Sequence, residues 1–159
     1  MSIKIFVTGG TFDKEYDPIL QVNLARETRV PEVLHVSRCV VPTAVEVLMQ
    51  IDSREITDEM RESFAQKCAD TPEEYIIFTH GTDTMVHTAE VLASKKMEKT
   101  IVLTGAMVPF RFRNSDAQFN LGAAVAFVQA MPHGVYIAMN GRCRAWNAVH
   151  KNLQTGVFE

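Results

Sequence analysis

The stretch EYIIFTHGTDT, residues 74–84, joins a short apolar run to a turn rich in glycine and hydroxyl side chains. Glu74 to Thr79 has the length and the β-branched content of a buried strand. Asp83 to Lys95 then carries apolar residues at helical spacing, and His80-Gly81 separates the two patterns. A strand that turns directly into a helix is the repeating unit of a parallel sheet. This stretch therefore predicts an α/β fold.

The same pattern recurs on both sides of this stretch. Strands are predicted at Ile3 to Val7, Thr100 to Thr104 and Gly134 to Met139. The alternation predicts one domain over residues 1–159, a single open, mainly parallel sheet with helices on both faces, as in flavodoxin-like and Rossmann-like folds. The remaining predicted elements are a loop or hairpin at Phe12 to Val30, a strand at Glu32 to Val41, and helices at Thr57 to Lys67 and Ser115 to Met131.

The helical spacing also predicts which side chains face the core. In the helix at residues 57–67 these are Met60 and Phe64, followed by Cys68, with Thr57 as N-cap. In the next two helices the predicted inner faces are Met85, Ala89, Leu92 and Ala93, and then Phe119, Ala123, Ala126 and Phe127.

Composition excludes several classes of protein. Hydrophobic residues make up 47% and charged residues 22% of the 159 residues, which argues against disorder. The net charge is −3 with no basic stripe, so a nucleic acid partner is not expected, and no apolar run has the length of a membrane span. We interpret the start of the chain as a strand and not as a signal peptide. Three widely spaced cysteines, Cys39, Cys68 and Cys143, are expected to be buried, reduced thiols, which favours the cytoplasm.

Three predicted strands end in segments that contain glycine and hydroxyl residues, which are Thr8 to Thr11, Thr79 to Thr84, and Thr104 to Met107. In a parallel sheet these ends lie at one edge, where ligands bind. Thr82-Asp83 also stands at the start of a predicted helix, where backbone N–H groups favour an anion. Helix capping is the alternative interpretation of any one such motif, because Thr and Asp are ordinary cap residues. Three motifs at one edge favour a site.

A threonine hydroxyl needs a neighbouring base before it acts as a nucleophile. Lys151 is a candidate base and Asp83 could orient it, although a single lysine is more often a solvated surface residue. The histidines at positions 35, 80, 87, 133 and 150 do not have zinc-ligand spacing, so we expect no metal, and we interpret His80 as structural.

Three motifs, TGGTF at 8–12, THGTDTM at 79–85 and LTGAM at 103–107, resemble the bacterial L-asparaginase family in content and order. Weaker matches are IDS at 51–53, SDA at 115–117 with Asn120, and Lys151-Asn152. The resemblance spans the whole chain but corresponds only to the N-terminal catalytic domain of the family. It implies hydrolysis of L-asparagine to L-aspartate and ammonia through an acyl-enzyme, with no cofactor.

The resemblance also implies roles for individual residues. Thr11 resembles the primary nucleophile and Tyr16 the tyrosine that polarises it, while Thr82, Asp83 and Lys151 resemble a second triad. The implied substrate-binding residues are Gly10, Ser53, Arg54, Gly81, Thr82, Asp83 and Ala106. Within this set, Ser53 and Asp83 match positions that hold the α-carboxylate and α-amino groups, and Thr82 N–H would contact the oxyanion.

Some features depart from the family. Its members carry a second, smaller domain that lends an acidic residue to a neighbouring subunit, and the resemblance does not include it. Arg54 stands where many members have glutamine, and Val108-Pro109 replaces arginine–proline. We expect a homo-oligomer in which protomers complete each other's sites. The alternatives are a glutaminase-like amidase, an ammonia-supplying subunit, and a binding or regulatory module with little turnover. A nucleotide site is the weakest alternative, because the glycine patterns of such sites are missing.

Overall fold

The computed structural model describes all 159 residues and has an α/β architecture. A six-stranded sheet has the order β4-β1-β5-β6-β7-β8, in which β8 alone is antiparallel to its neighbour. A separate hairpin is formed by β2 and β3. The strands are β1 Ile3–Gly9, β2 Lys14–Asp17, β3 Val22–Ala25, β4 Thr43–Ile51, β5 Tyr75–Thr79, β6 Thr100–Thr104, β7 Gly134–Met139 and β8 Arg142–Ala145. The helices are α1 Val30–Val36, α2 Asp58–Asp70, α3 Met85–Ser94 and α4 Ala117–Ala130.

Helices cover both faces of the sheet, as the sequence predicted. On one face α1 and α4 bury residues such as Val33 and Leu121 against Ile5 and Ile77. On the other face α2 and α3 form a second core around Phe78. Because both faces are buried, the central strands are apolar along their whole length, which is typical of parallel sheets.

The strand order places a topological switch between β1 and β5. The chain goes from β1 to β4 on one side and then crosses to β5 on the other side of β1. The five parallel strands thus have the order 2-1-3-4-5 of a flavodoxin-like sheet, which binds ligands at the switch. The turns after β1 and β5 begin at Gly10 and His80, so two of the three predicted motifs flank the switch.

Most predicted elements are confirmed to within about three residues at each end. The strands at β1, β5, β6 and β7 and the helices α2, α3 and α4 are present, and the hairpin of β2 and β3 occupies the segment predicted as a loop or hairpin. Thr57 is the N-cap of α2, since its side chain accepts a hydrogen bond from Met60 N–H. On α3, Met85, Ala89 and Leu92 are buried as expected, whereas Ala93, also predicted on the inner face, is half-buried.

The predicted strand at Glu32 to Val41 is wrong, because this segment contains helix α1. Pro31 lies in its first turn, where the missing N–H of proline costs no hydrogen bond, and Glu32 favourably faces the helix dipole. The strand lies later, at β4, which the prediction missed together with β8.

The predicted inner face of α4 is also wrong. Phe119 is 63% exposed, whereas the buried side is formed by Ala117, Asn120, Leu121, Ala124, Val125 and Val128. Apolar residues surround most of this helix, so the sequence pattern does not select one side.

Among the cysteines only Cys68 is fully buried, and burial raises the pKa of its thiol to about 12. Cys39 and Cys143 are half-buried. No helix of this chain combines the length and apolar character needed to cross a membrane.

Candidate active site

The turns after β1 and β5 touch each other at the switch point. Gly10 has a φ of 83°, and a Cβ atom on it would lie 2.5 Å from the Cα of Gly81. Only glycine fits this backbone conformation and this close approach. The contact places Thr11 and Thr82, which follow the two glycines, on adjacent turns at one edge of the sheet.

Lys151 connects the second of these turns to the end of the chain. Its Nζ donates hydrogen bonds to Thr82 Oγ1 at 2.8 Å and to Asp83 Oδ1 at 2.7 Å. The lysine side chain is 13% exposed and that of Asp83 is 45% exposed. Lys151 is thus in direct contact with Thr82 and Asp83, the two residues with which it was predicted to act, although about 70 positions of the chain separate it from them.

The position of Lys151 depends on the C-terminal turn of residues 150–159. Lys151 forms a β-bridge with Phe158, and His150 and Glu159 exchange backbone hydrogen bonds. Phe158 is buried in the core, and its N–H donates to Asn140 Oδ1 at 3.0 Å. A single buried aromatic side chain therefore anchors the segment that carries the lysine.

Thr11 and Tyr16 lie on the other side of the switch point. Thr11 begins a short 3-10 turn, is half-buried, and its hydroxyl makes no hydrogen bond within the chain. Tyr16 lies on β2 and is 56% exposed. No hydrogen bond joins the two hydroxyl groups, so the structure does not bring this predicted pair together as it does Thr82 and Lys151.

The hairpin that carries Tyr16 is held by two buried carboxylates. Asp13 Oδ1 accepts a hydrogen bond from Arg29 N–H at 2.7 Å, and burial raises the pKa of this carboxyl group. Asp17 accepts from the N–H groups of Ile19 and Leu20, and these bonds lower its pKa. Neither Asp13 nor Asp17 was among the predicted site residues. Their burial is what indicates their role in holding the hairpin, and the sequence alone does not show that they are buried.

Ser53 and Arg54 follow β4 and reach the same edge. Ser53 is buried against Gly81, where a Cβ atom would lie 2.6 Å from Ser53 Oγ. Arg54 is exposed, donates two side-chain hydrogen bonds of 2.9 Å to Asp52, and lies 3.7 Å from Asp83 Oδ2. Hydrogen bonds from Arg54 hold the pKa of Asp52 well below its usual range. Asp52 in turn raises the pKa of the Arg54 guanidinium.

The loop after β6 brings Ala106 to this edge. Ala106 is buried, and α4 holds the loop through Asn120 and Asp116. Asn120 donates to Gly105 O at 3.0 Å, and Asp116 accepts from Met107 N–H at 3.0 Å. These contacts give the weakly matching SDA and Asn120 segment a specific role in positioning the loop.

His80 makes no contact with solvent and lies directly behind Gly81. Its Nδ1 is 2.8 Å from Gly81 O, and its Nε2 is 2.8 Å from Thr88 Oγ1. Desolvation lowers the pKa of His80 to about 4. No three His, Cys, Asp or Glu side chains of the chain lie close enough together to bind one metal ion.

Comparisons with known proteins assign the chain to a family. Residues 2–157 match the model of the family described as asparaginase, N-terminal. The chain belongs to the asparaginase family. A probable periplasmic L-asparaginase of Haemophilus influenzae is 34% identical over 120 residues, which cover 70% of this chain and 34% of that protein. L-asparaginase 1 of Escherichia coli is 28% identical over 160 residues, 94% of this chain and 47% of that protein.

Solved structures of asparaginases share the fold. A probable cytoplasmic L-asparaginase from Campylobacter jejuni superposes with a TM-score of 0.79 at 30% identity, covering 94% of this chain and 48% of that chain. The thermostable L-asparaginase from Thermococcus kodakarensis has a TM-score of 0.86 at 24% identity, covering 100% of this chain and 51% of that chain. This chain spans about a third to a half of the length of the asparaginases it matches.

Proposed function

We propose that the chain hydrolyses the side-chain amide of L-asparagine, giving L-aspartate and ammonia. The observation that carries this proposal is the contact of Lys151 Nζ with Thr82 Oγ1 and Asp83 Oδ1, on the turn that adjoins Gly10-Thr11. A lysine held against a threonine hydroxyl at a ligand-binding edge is an arrangement suited to nucleophilic catalysis. The names of the asparaginase relatives support the choice of substrate.

In the proposed mechanism Thr11 is the nucleophile. Its Oγ1 attacks the amide carbon while its proton passes to a base, and the C–N bond of the tetrahedral intermediate breaks as the nitrogen takes up a proton and leaves as ammonia. Water then attacks the resulting ester, which releases aspartate and restores the hydroxyl. Thr82, Asp83 and Lys151 relay protons, and Tyr16 assists Thr11 once the hairpin approaches it. No step needs a metal or an organic cofactor.

The α-carboxylate and α-amino groups are proposed to bind between the turns after β4 and β5. Ser53 lies against Gly81 there, and Asp83 presents a carboxylate that suits an ammonium group. Arg54 adds a cation close to Asp83. Gly10 and Ala106 contribute backbone groups around the side-chain amide. Thr82 N–H, which donates no hydrogen bond within the chain, is available for the oxyanion.

A glutaminase-like activity is a second candidate. Relatives from Pseudomonas fluorescens and Acinetobacter glutaminasificans, 32% and 35% identical, are named glutaminase-asparaginase. The third candidate, an amino-acid-binding module with little turnover, would not need a lysine against the Thr82 hydroxyl.

We also propose that the protein forms a homo-oligomer and acts in the cytoplasm. Exposed apolar side chains such as Ile19, at 88%, and Leu153, at 88%, offer surface for association. The Campylobacter jejuni structure is named as probably cytoplasmic, whereas the Haemophilus influenzae relative is named as periplasmic. Sedimentation velocity over a range of concentrations tests the oligomer, and a monomer throughout would refute it.

The decisive experiment is ammonia release from L-asparagine, with L-glutamine in parallel, by the wild type and by Thr11→Ala and Thr82→Ala. Both variants are expected to lose turnover and remain folded, while Thr43→Ala, at the opposite end of β4, keeps it. Undiminished activity of Thr11→Ala would refute the nucleophile assignment. Binding of asparagine without turnover by the wild type would favour the binding-module alternative.

A further inference from the structure

A buried row of hydrogen bonds runs from α2 to the turn after β5. Arg61, on α2, is 4% exposed, and its Nε donates to Thr88 Oγ1 on α3 at 3.1 Å. Thr88 Oγ1 is 2.8 Å from His80 Nε2, and His80 Nδ1 is 2.8 Å from Gly81 O. Thr88 and His80 are fully buried. Three buried polar side chains thus form one continuous row of hydrogen bonds, and its last member, His80, contacts the carbonyl oxygen of Gly81 at the site.

The chemistry of the two ends fixes the direction of every bond. A carbonyl oxygen only accepts, so His80 Nδ1 carries a proton and donates to Gly81 O. His80 is neutral at neutral pH because burial lowers its pKa to about 4, and its Nε2 therefore accepts from the Thr88 hydroxyl. Arg61 has no acceptor atom, so its Nε–H donates to the Thr88 oxygen. All four groups are satisfied by one arrangement of protons.

The row acts on the peptide group that links Gly81 to Thr82. The carbonyl of Gly81 and the N–H of Thr82 belong to the same planar unit. A hydrogen bond donated to the carbonyl increases the dipole of the unit and makes its N–H a stronger donor, and aligned hydrogen bonds reinforce one another. Thr82 N–H donates no hydrogen bond within the chain, so its full donor strength is available to a ligand.

We propose that Arg61, Thr88 and His80 are positioning residues that orient and polarise the Gly81–Thr82 peptide group, so that Thr82 N–H stabilises the oxyanion of amide hydrolysis. This inference rests on the proposed function. It gives Thr88 and Arg61 a task that no sequence motif indicated, and it gives His80 a task beyond filling the core. Because all three side chains are buried, they are proposed to act on the substrate only through Thr82 N–H.

The test compares variants of the hydroxyl in the middle of the row. Thr88→Val keeps the branched shape but removes the donor to His80 and the acceptor for Arg61. It is expected to lower kcat for asparagine about tenfold with KM within about twofold, because oxyanion donors act in the transition state. Thr88→Ser is expected to restore most of kcat. Thr100→Val removes a buried hydroxyl that bonds Met131 O at the far end of the sheet and should leave kcat unchanged. A folded Thr88→Val protein with wild-type kcat would overturn the proposal.

Nuclear magnetic resonance separates this inference from the proposed function, because it needs no turnover. Long-range proton–nitrogen spectra of labelled His80 should show a proton on Nδ1 and none on Nε2. The amide proton of Thr82 should move upfield in Thr88→Val and stay in place in Thr100→Val. A proton on Nε2 of His80, or a Thr82 amide proton that does not move in Thr88→Val, would overturn the proposed role of the row. If the His80 proton and the Thr82 shift are both as expected but the wild type has no amidase activity, the proposed function is refuted instead.

Discussion

Lys151 Nζ and Thr82 Oγ1 lie 2.8 Å apart, although 69 positions separate the two residues in the chain. The contact exists because Phe158 anchors the C-terminal turn in the core while the end of β5 presents Thr82 at the sheet edge. The contact connects the last segment of the chain to the switch point.

Replacing Lys151 with methionine removes the amine from Thr82 and Asp83 while keeping most of the length of the unbranched side chain. We expect kcat for asparagine hydrolysis to fall by about a hundredfold or more, the usual range for loss of a proton-transfer group. Lys67→Met is the matched control, since Lys67 pairs with Glu46 away from the site. The test is ammonia release from asparagine by the two purified variants. If Lys151→Met is as active as Lys67→Met, Lys151 is not the base.

Two glycine-to-alanine changes should have opposite effects on stability. Gly81→Ala places a Cβ atom 2.6 Å from Ser53 Oγ, so the turn must shift, with an expected loss of about 1–3 kcal/mol in the free energy of unfolding and a raised KM. Gly122→Ala, on α4, meets no atom within 4 Å and should stabilise by about 0.5–1 kcal/mol. Urea unfolding with parallel asparagine kinetics measures both; a Gly81→Ala protein with normal KM would contradict the close packing of Ser53.

The burial of His80 predicts that stability depends on pH between about 4 and 6.5. The pKa of His80 is lowered from 6.5 to about 4, so in this window the unfolded state binds the proton and the folded state does not. The free energy of unfolding therefore falls as the pH decreases, by on the order of 3 kcal/mol across the window.

Replacing His80 with glutamine should remove this part of the pH dependence, whereas replacing His87, which is exposed on α3, should not. Denaturant unfolding of the wild type and both variants, measured at intervals from pH 4 to pH 7, gives the comparison. Parallel curves for the wild type and His80→Gln would show that His80 is protonated as readily in the folded state as in the unfolded state.

Arg54 is expected to affect substrate binding more than chemistry. Its guanidinium is held by Asp52 and lies 3.7 Å from Asp83, so removing it takes a cation from the region proposed to bind the α-carboxylate. Arg54→Gln should raise KM for asparagine several-fold and leave kcat within about twofold. Arg38→Gln, at an exposed position after α1, serves as the control. A large loss of kcat with unchanged KM would assign Arg54 to the chemical step instead.

The sequence by itself determined the fold class and the position of the strand ends. Apolar runs of strand length alternating with helical spacing require buried parallel strands, and Gly10 and Gly81 mark turns where the backbone must approach closely. Both signals depend only on neighbouring residues in the chain, so they can be recognised in the sequence without knowledge of distant contacts. The same local signals failed at Glu32 to Val41, where proline fits the first turn of a helix as well as the edge of a strand, and on α4, where apolar residues surround most of the helix.

Only the tertiary structure decided which side chains meet. The 2.8 Å contact of Lys151 depends on a buried aromatic side chain seven positions later, and the bonds of His80 depend on the packing of α2 against α3. Such contacts join residues that are far apart in the chain, and nothing in the local pattern of either partner specifies the other. Burial decided the rest, because the pKa of His80 and the missing partner of Thr82 N–H follow from the atoms that surround them and not from the residue types alone.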